Sequence, residues 1–428
     1  GSDLFGVDKK YRYLPLYSVS GLWRISQEPF MANAKWIDNL VVRASYGLQG
    51  NIDKNTSPYL LGNYRIENIL PGGSEDMIDV SGAPNKKLRW EKTHSVNAGF
   101  DFAVLNQAIN LSVDYYYRKG VDLIGTQMLP LETGFEMLTV NWASMQNQGV
   151  EVALSTRNIH TKNFMWTTNF NFAYNNNKIL KEALREDALE PGREGYPVGA
   201  LFALKTAGLD EEGYPMFEGK DGKAVSAIEF FKLQEWGFGA TDLTARERRE
   251  LYTYVGTADC PYTGGFNNTF TYKAFELGVN FSFDFGGKVR SQPTYSIVDF
   301  DKGRNTNRDI LNRWTPENTE TIFPVLLSQN ERLDEYMWYS NQNEIYRNLD
   351  IWIRDLNYVR LQNIRLGYTL PTNFSRKLGM TSATIAIEGR NLLVFGSSYK
   401  NYLDPETMSN AYATPAPKSV TLSLNLNF

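Results

Sequence analysis

Residues 419–428 (SVTLSLNLNF) alternate without a fault. Val420, Leu422, Leu424, Leu426 and Phe428 fall on one side, and Thr421, Ser423, Asn425 and Asn427 on the other. A period of two specifies a strand with one oily face and one wet face. Aliphatics outside, small uncharged groups inside and an aromatic last residue suit a strand between lipid and water. The edge strand of a soluble sandwich alternates in the same way, so the choice depends on whether the pattern recurs.

It recurs along the chain. Residues 14–26 (LPLYSVSGLWRIS) and 36–51 (WIDNLVVRASYGLQGN) read as strands; in the second, Val42, Ala44 and Tyr46 share one face and Arg43, Ser45 and Gly47 the other. Residues 88–105 and 108–128 follow as a hairpin turning near Asn106 and Gln107. Within it Leu111, Val113, Tyr115 and Tyr117 oppose Ser112, Asp114, Tyr116 and Arg118, a face that makes sense only if wet. Residues 149–159 and 164–179 come next, with Asn169 and Asn171 opposite Phe170 and Phe172, an amide-rich face that makes a poor core and a good channel wall. Alternation returns at 264–272, 274–286, 352–370, 383–395 and the terminal segment, with a phase slip between Val359 and Leu366 that reads as a β-bulge.

Between these strands lie long segments near 51–85, 180–264 and 287–350, rich in Gly, Pro and charge, while connections such as 106–107, 160–163 and 273 are short. The second contains a short strand at 201–209 and a helical run at 243–255. About twelve antiparallel strands, with short links at one end and long ones at the other, match an outer-membrane β-barrel. Polar inner faces separate this reading from a sandwich, whose two inner faces are both apolar. The expected class is therefore all-β, a transmembrane antiparallel barrel.

Composition narrows this picture. Tyr (25), Phe (24) and Trp (9) are abundant, as expected where side chains bridge apolar and wet regions. A net charge of −4 gives no basic field for nucleic acid. Cys260 stands alone, so no disulfide framework exists, and its thiol reads as a loop passenger. Mean hydropathy is −0.40 and no apolar run nears the ~18 residues of a spanning helix. The amino end has neither the basic nor the apolar region of a signal peptide, so a removed leader or a fragment of a longer protein is expected.

Specific motifs carry a family resemblance: LRWEKT at 88–93, NQGVE at 147–151, NNNKI at 175–179, GGFNN at 264–268, RWTPEN at 313–318, YVRLQNIRLGYTLP at 358–371, GRNL at 389–392 and the final strand. In combination and order they resemble the SusC-like TonB-dependent outer-membrane transporters, over nearly the whole chain. The resemblance implies the C-terminal portion, residues 1–428, of one barrel of the 22-stranded class, with the plug and early strands absent. It further implies import of oligosaccharides or peptides together with a SusD-like surface lipoprotein, driven by TonB acting through the missing N-terminal region. A soluble or surface-attached glycan-binding module and a passive porin are the alternatives.

Catalytic, metal and cofactor chemistry finds no motif. His94 and His160 sit in or beside strands without ligand spacing. Gly237 and Gly239 lack the third glycine of a dinucleotide loop, and Asp299 and Asp301 begin a calcium-type loop that Ile310 fails to complete. The candidate binding cluster is Tyr336, Trp338, Tyr339, Tyr346 and Trp352, interleaved with Asp334, Glu335, Asn341, Gln342 and Asn343. Flat rings beside amides and carboxylates suit an oligosaccharide or peptide; loop packing and an interfacial aromatic girdle are the bland reading. For barrel closure the candidates are Val420, Leu422, Leu424, Leu426 and Phe428, whose strand is expected to pair with the first strand of the complete barrel.

Overall fold

The computed structural model describes residues 11, 13–52, 58–70, 73–135, 137–184, 186–219, 221–234, 241–291, 308–326, 347–377, 379–396, 404–407 and 413–428. Two compact units divide the chain, one of residues 1–185, 192–198 and 264–273, the other of 186–191, 199–263 and 274–428.

Unit 1 begins with β1 (Tyr17–Arg24) and β2 (Ile37–Asn51) and includes a separate hairpin of β3 (Leu61–Leu70) and β4 (Gly73–Gly82). It continues through β5 (Glu91–Val104), β6 (Ile109–Met128), β7 (Met137–His160) and β8 (Phe164–Lys181). β1, β2, β5, β6, β7 and β8 pair in that order, each antiparallel to the next. The 51–85 segment, expected as a loop, holds the β3–β4 ribbon. The strand expected at 149–159 starts earlier, at Met137.

Opposed partners share a face, so register turns the alternation into rows across the sheet. Trp23, Val42, Phe100, Val113, Val152 and Phe172 make one row, and the next row on the opposite face is Leu22, Arg43, Gly99, Asp114, Glu151 and Ala173. The β5–β6 reversal passes through Leu105, Asn106 and Gln107, all at φ between 55° and 57°. Left-handed backbone costs a Cβ-bearing residue ~1–2 kcal/mol. The turn is held by Leu105 N–H donating to the Trp36 carbonyl at 3.1 Å and Gln107 N–H to Asp38 Oδ2 at 2.8 Å.

Unit 2 contains a loop lobe and a wall. The lobe comprises β9 (Ala200–Leu204), β10 (Thr206–Leu209), β11 (Pro215–Glu218), β12 (Ala224–Val225), α1 (Ala227–Phe231), α2 (Ala245–Glu250) and β13 (Tyr252–Thr257). β9 pairs with β13, and β10, β11 and β12 form a small sheet. The expected strand at 201–209 is thus broken in two, and the expected helix at 243–255 stops at Glu250 and continues as a strand. Thr244 starts α2 with a capping box: its Oγ accepts from Glu247 N–H at 3.3 Å, and the Glu247 carboxylate accepts from Thr244 N–H at 2.9 Å. Ser226 caps α1, which ends where Lys232 turns left-handed at φ 47°.

Next in the chain is β14 (Tyr262–Tyr272), whose residues from 264 onward belong to unit 1 and lie beside β8; Trp166 Nε1 and Thr168 Oγ1 both donate to Asn268 Oδ1, at 3.0 and 2.7 Å. The unit 2 wall is β15 (Phe275–Arg290), β16 (Ile353–Thr369), β17 (Ser382–Phe395) and β18 (Ser419–Asn427), paired in order, with α3 (Thr372–Lys377) between β16 and β17. The phase slip is a bulge at Gln362. Asn280 opposes Asn363 and Phe281 opposes Leu361, which leaves Gln362 as the extra residue; the β17 pairing skips it too. Eleven long strands are therefore described where about twelve were expected, and the difference is the 201–209 segment, which the lobe absorbs.

Candidate functional site

The polar face of unit 1 is a hydrogen-bonded surface built from the strands themselves. Arg43 on β2 reaches across two strands, with Nη2 at 2.6 Å from Asp114 Oδ2 and Nε at 3.2 Å from Asp101 Oδ2. Ser112 Oγ accepts from the same guanidinium at 3.1 Å and donates to Asp101 Oδ1 at 2.7 Å. Each of these side chains is part-exposed, so the cluster is a wetted wall rather than a buried ion pair. Ser20, Arg43, Ser45, Asn97, Gly99 and Asp114 border a concavity of about 310 Å³ on this face.

Higher on the same face the NQGVE and NNNKI motifs meet. Tyr116 Oη donates to Asn175 Oδ1 at 2.8 Å, and Asn177 Nδ2 donates to Asn147 Oδ1 at 2.7 Å while its own Oδ1 receives Val198 N–H at 2.7 Å. Gly149 is required beneath the Tyr116 ring, because a Cβ there would stand 2.6 Å from Tyr116 Oη and 2.1 Å from the Tyr174 carbonyl.

In unit 2 the polar face of β16 carries Tyr358 and Arg360. Arg360, 2% exposed, pairs with Asp404 and, at 2.8 Å, with Glu406; Tyr358 Oη donates to Asp284 Oδ2 at 2.5 Å. Asp404 also accepts from Glu406 N–H at 3.1 Å and Ala416 N–H at 3.3 Å, so one carboxylate holds both of these residues beside Arg360. Sequence reasoning missed this cluster. Its cation and anions are more than forty residues apart, and only the bulge explains why Arg360 faces away from lipid.

The lobe is closed by a core of Leu204, Tyr214, Phe217, Phe231, Leu349 and Trp352 together with Ala227 and Leu233. Beside it, Lys205, Glu218, Glu229, Phe230, Glu247 and Leu251 line part of a cleft of about 530 Å³. The Glu247 carboxyl is held below the usual range by Thr244, first through its N–H and then through its hydroxyl. Cys260 sits with Sγ 3.9 Å from the Leu356 carbonyl, and burial pushes its thiol above the ordinary value.

The five aromatic candidates part company here. Tyr336, Trp338, Tyr339 and Tyr346 lie outside the described residues, as do residues 235–240 and 299–301. Trp352 is 0% exposed and packs in the lobe core 5.8 Å from the Phe323 ring, so among the described residues it supports the lobe rather than offering a face to solvent. Val420, Leu422, Leu424 and Leu426 share the apolar face of β18, with Phe428 just past its end; the whole strand is exposed, and it pairs only with β17 among the described residues. His94 Nδ1 lies 2.9 Å from Tyr46 Oη, and no group of metal-ligating side chains occurs among the described residues.

Residues 5–392 match the family model described as TonB dependent receptor-like, beta-barrel. The whole chain is 27% identical to TonB-dependent receptor P3 of Formosa agariphila and 25% identical to TonB-dependent receptor SusC of Bacteroides thetaiotaomicron, of which it spans 43% and 41%. In fold it is similar to the RagAB peptide transporter, with a TM-score of 0.74 at 23% identity, covering 99% of this chain and 44% of that one. The chain thus spans less than half the length of these relatives, and no plug is among the described strands. Its alternating strands, wet inner faces and ordered motifs all converge on one assignment: the chain belongs to the TonB-dependent receptor β-barrel family of the bacterial outer membrane, in the SusC-like branch.

Proposed function

We propose that this chain supplies wall and loops to a TonB-dependent importer of oligomeric nutrients, oligosaccharides or peptides, working with a SusD-like surface lipoprotein. The observation that carries the reading is the family match over residues 5–392. The polar face supports it, since Arg43, Asp101, Asn97, Tyr116 and Asn175 offer donors and acceptors of both kinds along one surface. Such a surface lets a hydrated, amide- or hydroxyl-rich oligomer exchange partners as it passes, without a deep energetic trap. RagAB, which shares the fold, is a peptide transporter, and a peptide cargo is one of the two this reading carries. No catalytic step is required. A soluble glycan-binding module is a poorer account of a chain whose exposed strand faces carry Val42, Phe100, Ile387 and Leu422.

Energy coupling would enter through a plug beyond this chain, with TonB pulling on it; a passive porin would need neither. Uptake by the full-length protein should therefore stop in cells lacking TonB, and uptake that continues unchanged there would favour the porin. Within the binding reading, Trp338→Ala with Tyr339→Ala should weaken capture of a peptide or oligosaccharide mixture at least tenfold, with barrel assembly intact. Unchanged capture removes those rings from the site.

A further inference from the structure

The apolar face of unit 1 is bounded above by a row of a different kind. His94 on β5, Lys119 on β6, Gln146 on β7 and Lys178 on β8 are opposed in register and stand on the same face as Val96, Tyr117, Val150 and Phe172. From the row of Leu40, Phe102, Leu111, Leu154 and Phe170 up to this one, that face carries no carboxylate across β2, β5, β6, β7 and β8. Asp101, Asp114 and Glu151 of these strands all lie in rows of the polar face. Among the described residues neither Lys119 nor Lys178 is ion-paired with an acid, whereas Lys92, next on that face of β5, is bound to Asp122 at 2.9 Å.

Depth gives the row its meaning. From Val104, beside the tight lower turn, to His94 is ten residues. At ~3.3 Å per residue and a tilt of about 40° this is a height of about 25 Å, the thickness of the lipid-facing band. Short turns join β5 to β6 and β7 to β8 at the lower end, as on the periplasmic side of such barrels, so the row stands at the outer-leaflet headgroups. Tyr46 and Tyr117 lie just beneath it as interfacial aromatics, with Tyr46 Oη bonded to His94 and Tyr117 Oη donating to Gln146 at 3.4 Å. Lys119 and Lys178 are two strands apart, a span of ~10 Å.

We infer that this row is a docking surface for the phosphate groups of an outer-leaflet glycolipid, with Lys119 and Lys178 as the cationic contacts and His94 and Gln146 as polar flanks. Charge and depth agree on such a partner: two ammonium groups without acids, at the outer of the two levels of the wall where lipid phosphate sits. The inference rests on the family membership and not on the cargo.

The test uses the full-length transporter purified in detergent, with bis-phosphorylated lipid A as probe and its dephosphorylated form as comparison, read by native mass spectrometry. Wild type should retain the phosphorylated form in preference to the other. Lys119→Gln with Lys178→Gln should cut retention at least fivefold, Lys→Arg at both sites should restore it, and Lys162→Gln in the opposite turn should leave it unchanged. Equal retention by wild type and the double Gln variant overturns the inference, as does equal retention of both lipid forms. Heat-modifiable mobility checks that the barrel is folded. Should the double variant not fold, Lys178→Gln alone, at an exposed position, should still lower retention at least twofold, and no loss there overturns the inference equally.

Discussion

The unit 1 wall and the unit 2 lobe solve the same problem in opposite ways. In the wall, large apolar side chains are displayed: Val42 is 42% exposed and Phe100 37%. In the lobe they are hidden, with Phe217 and Trp352 at 0%. A membrane wall gains from facing hydrocarbon and must pair every backbone polar group with a neighbouring strand. The lobe is held by what it withdraws from water. Lipid-facing residues are therefore set by strand alternation, whereas the lobe core draws on segments more than a hundred residues apart, such as Leu204 and Leu349.

The largest expected break in the comparison comes from the wall. Removing residues 419–428 from the full-length protein should abolish assembly, seen as loss of the heat-modifiable barrel band, because closure alone removes edges in lipid. Trp352→Ala should act on the lobe instead, costing about 3–5 kcal/mol of its local stability. Proteolysis should then cut within residues 199–263 much faster while the barrel band stays. A barrel band lost together with the lobe would show that the two regions do not fold by separate rules.

Arg360→Leu tests the wall's polar face. It strands Asp404 at a site where the arginine is 2% exposed, though Glu406 remains partly wetted, so the cost should be about 3 kcal/mol. The heat-modifiable barrel band should then unfold at lower temperature, and Asp404→Asn in the same background should recover part of the loss. The smallest effect belongs to the lobe. Thr244→Ala removes the α2 cap at about 1 kcal/mol. The Thr244 N–H, which the substitution keeps, and then its hydroxyl, which it removes, hold the Glu247 carboxyl below its usual range; the hydroxyl's share of the effect is present above the carboxyl's unfolded pKa and fades as pH falls through its lower folded value, while the bond from Glu247 N–H to Thr244 Oγ does not titrate. The difference in lobe proteolysis between wild type and Thr244→Ala should therefore shrink in acid.

The same contrast explains what the sequence made legible. Faces such as Val42 against Arg43 and Leu422 against Ser423 follow from period two alone, and even the slip near Gln362 could be located. The β3–β4 ribbon escaped notice because Gly, Asn and Asp around Gly62 and Asp76 look like loop chemistry, although cross-strand pairs such as Tyr64 with Ile78 hold a register. In the lobe, helix and strand follow each other within a few residues, too briefly for either period to show. Trp352 carried a signal of aromatic composition, which does not distinguish a ring that stacks on a ligand from one that fills a core. The Arg360 cluster needed the third dimension.

Gln362 makes β16 a switch of parity. Below it the even positions Ile364, Leu366 and Tyr368 share the apolar face; above it that face passes to the odd positions Leu361 and Val359, and Arg360 and Tyr358 turn to the polar side. One residue more or less in such a strand acts like a frameshift, reversing every face beyond it, while the long connections absorb length changes without disturbing any face. Divergence in a barrel of this kind is thus channelled by arithmetic: its strands can change letters but not count, and its loops are free to change both.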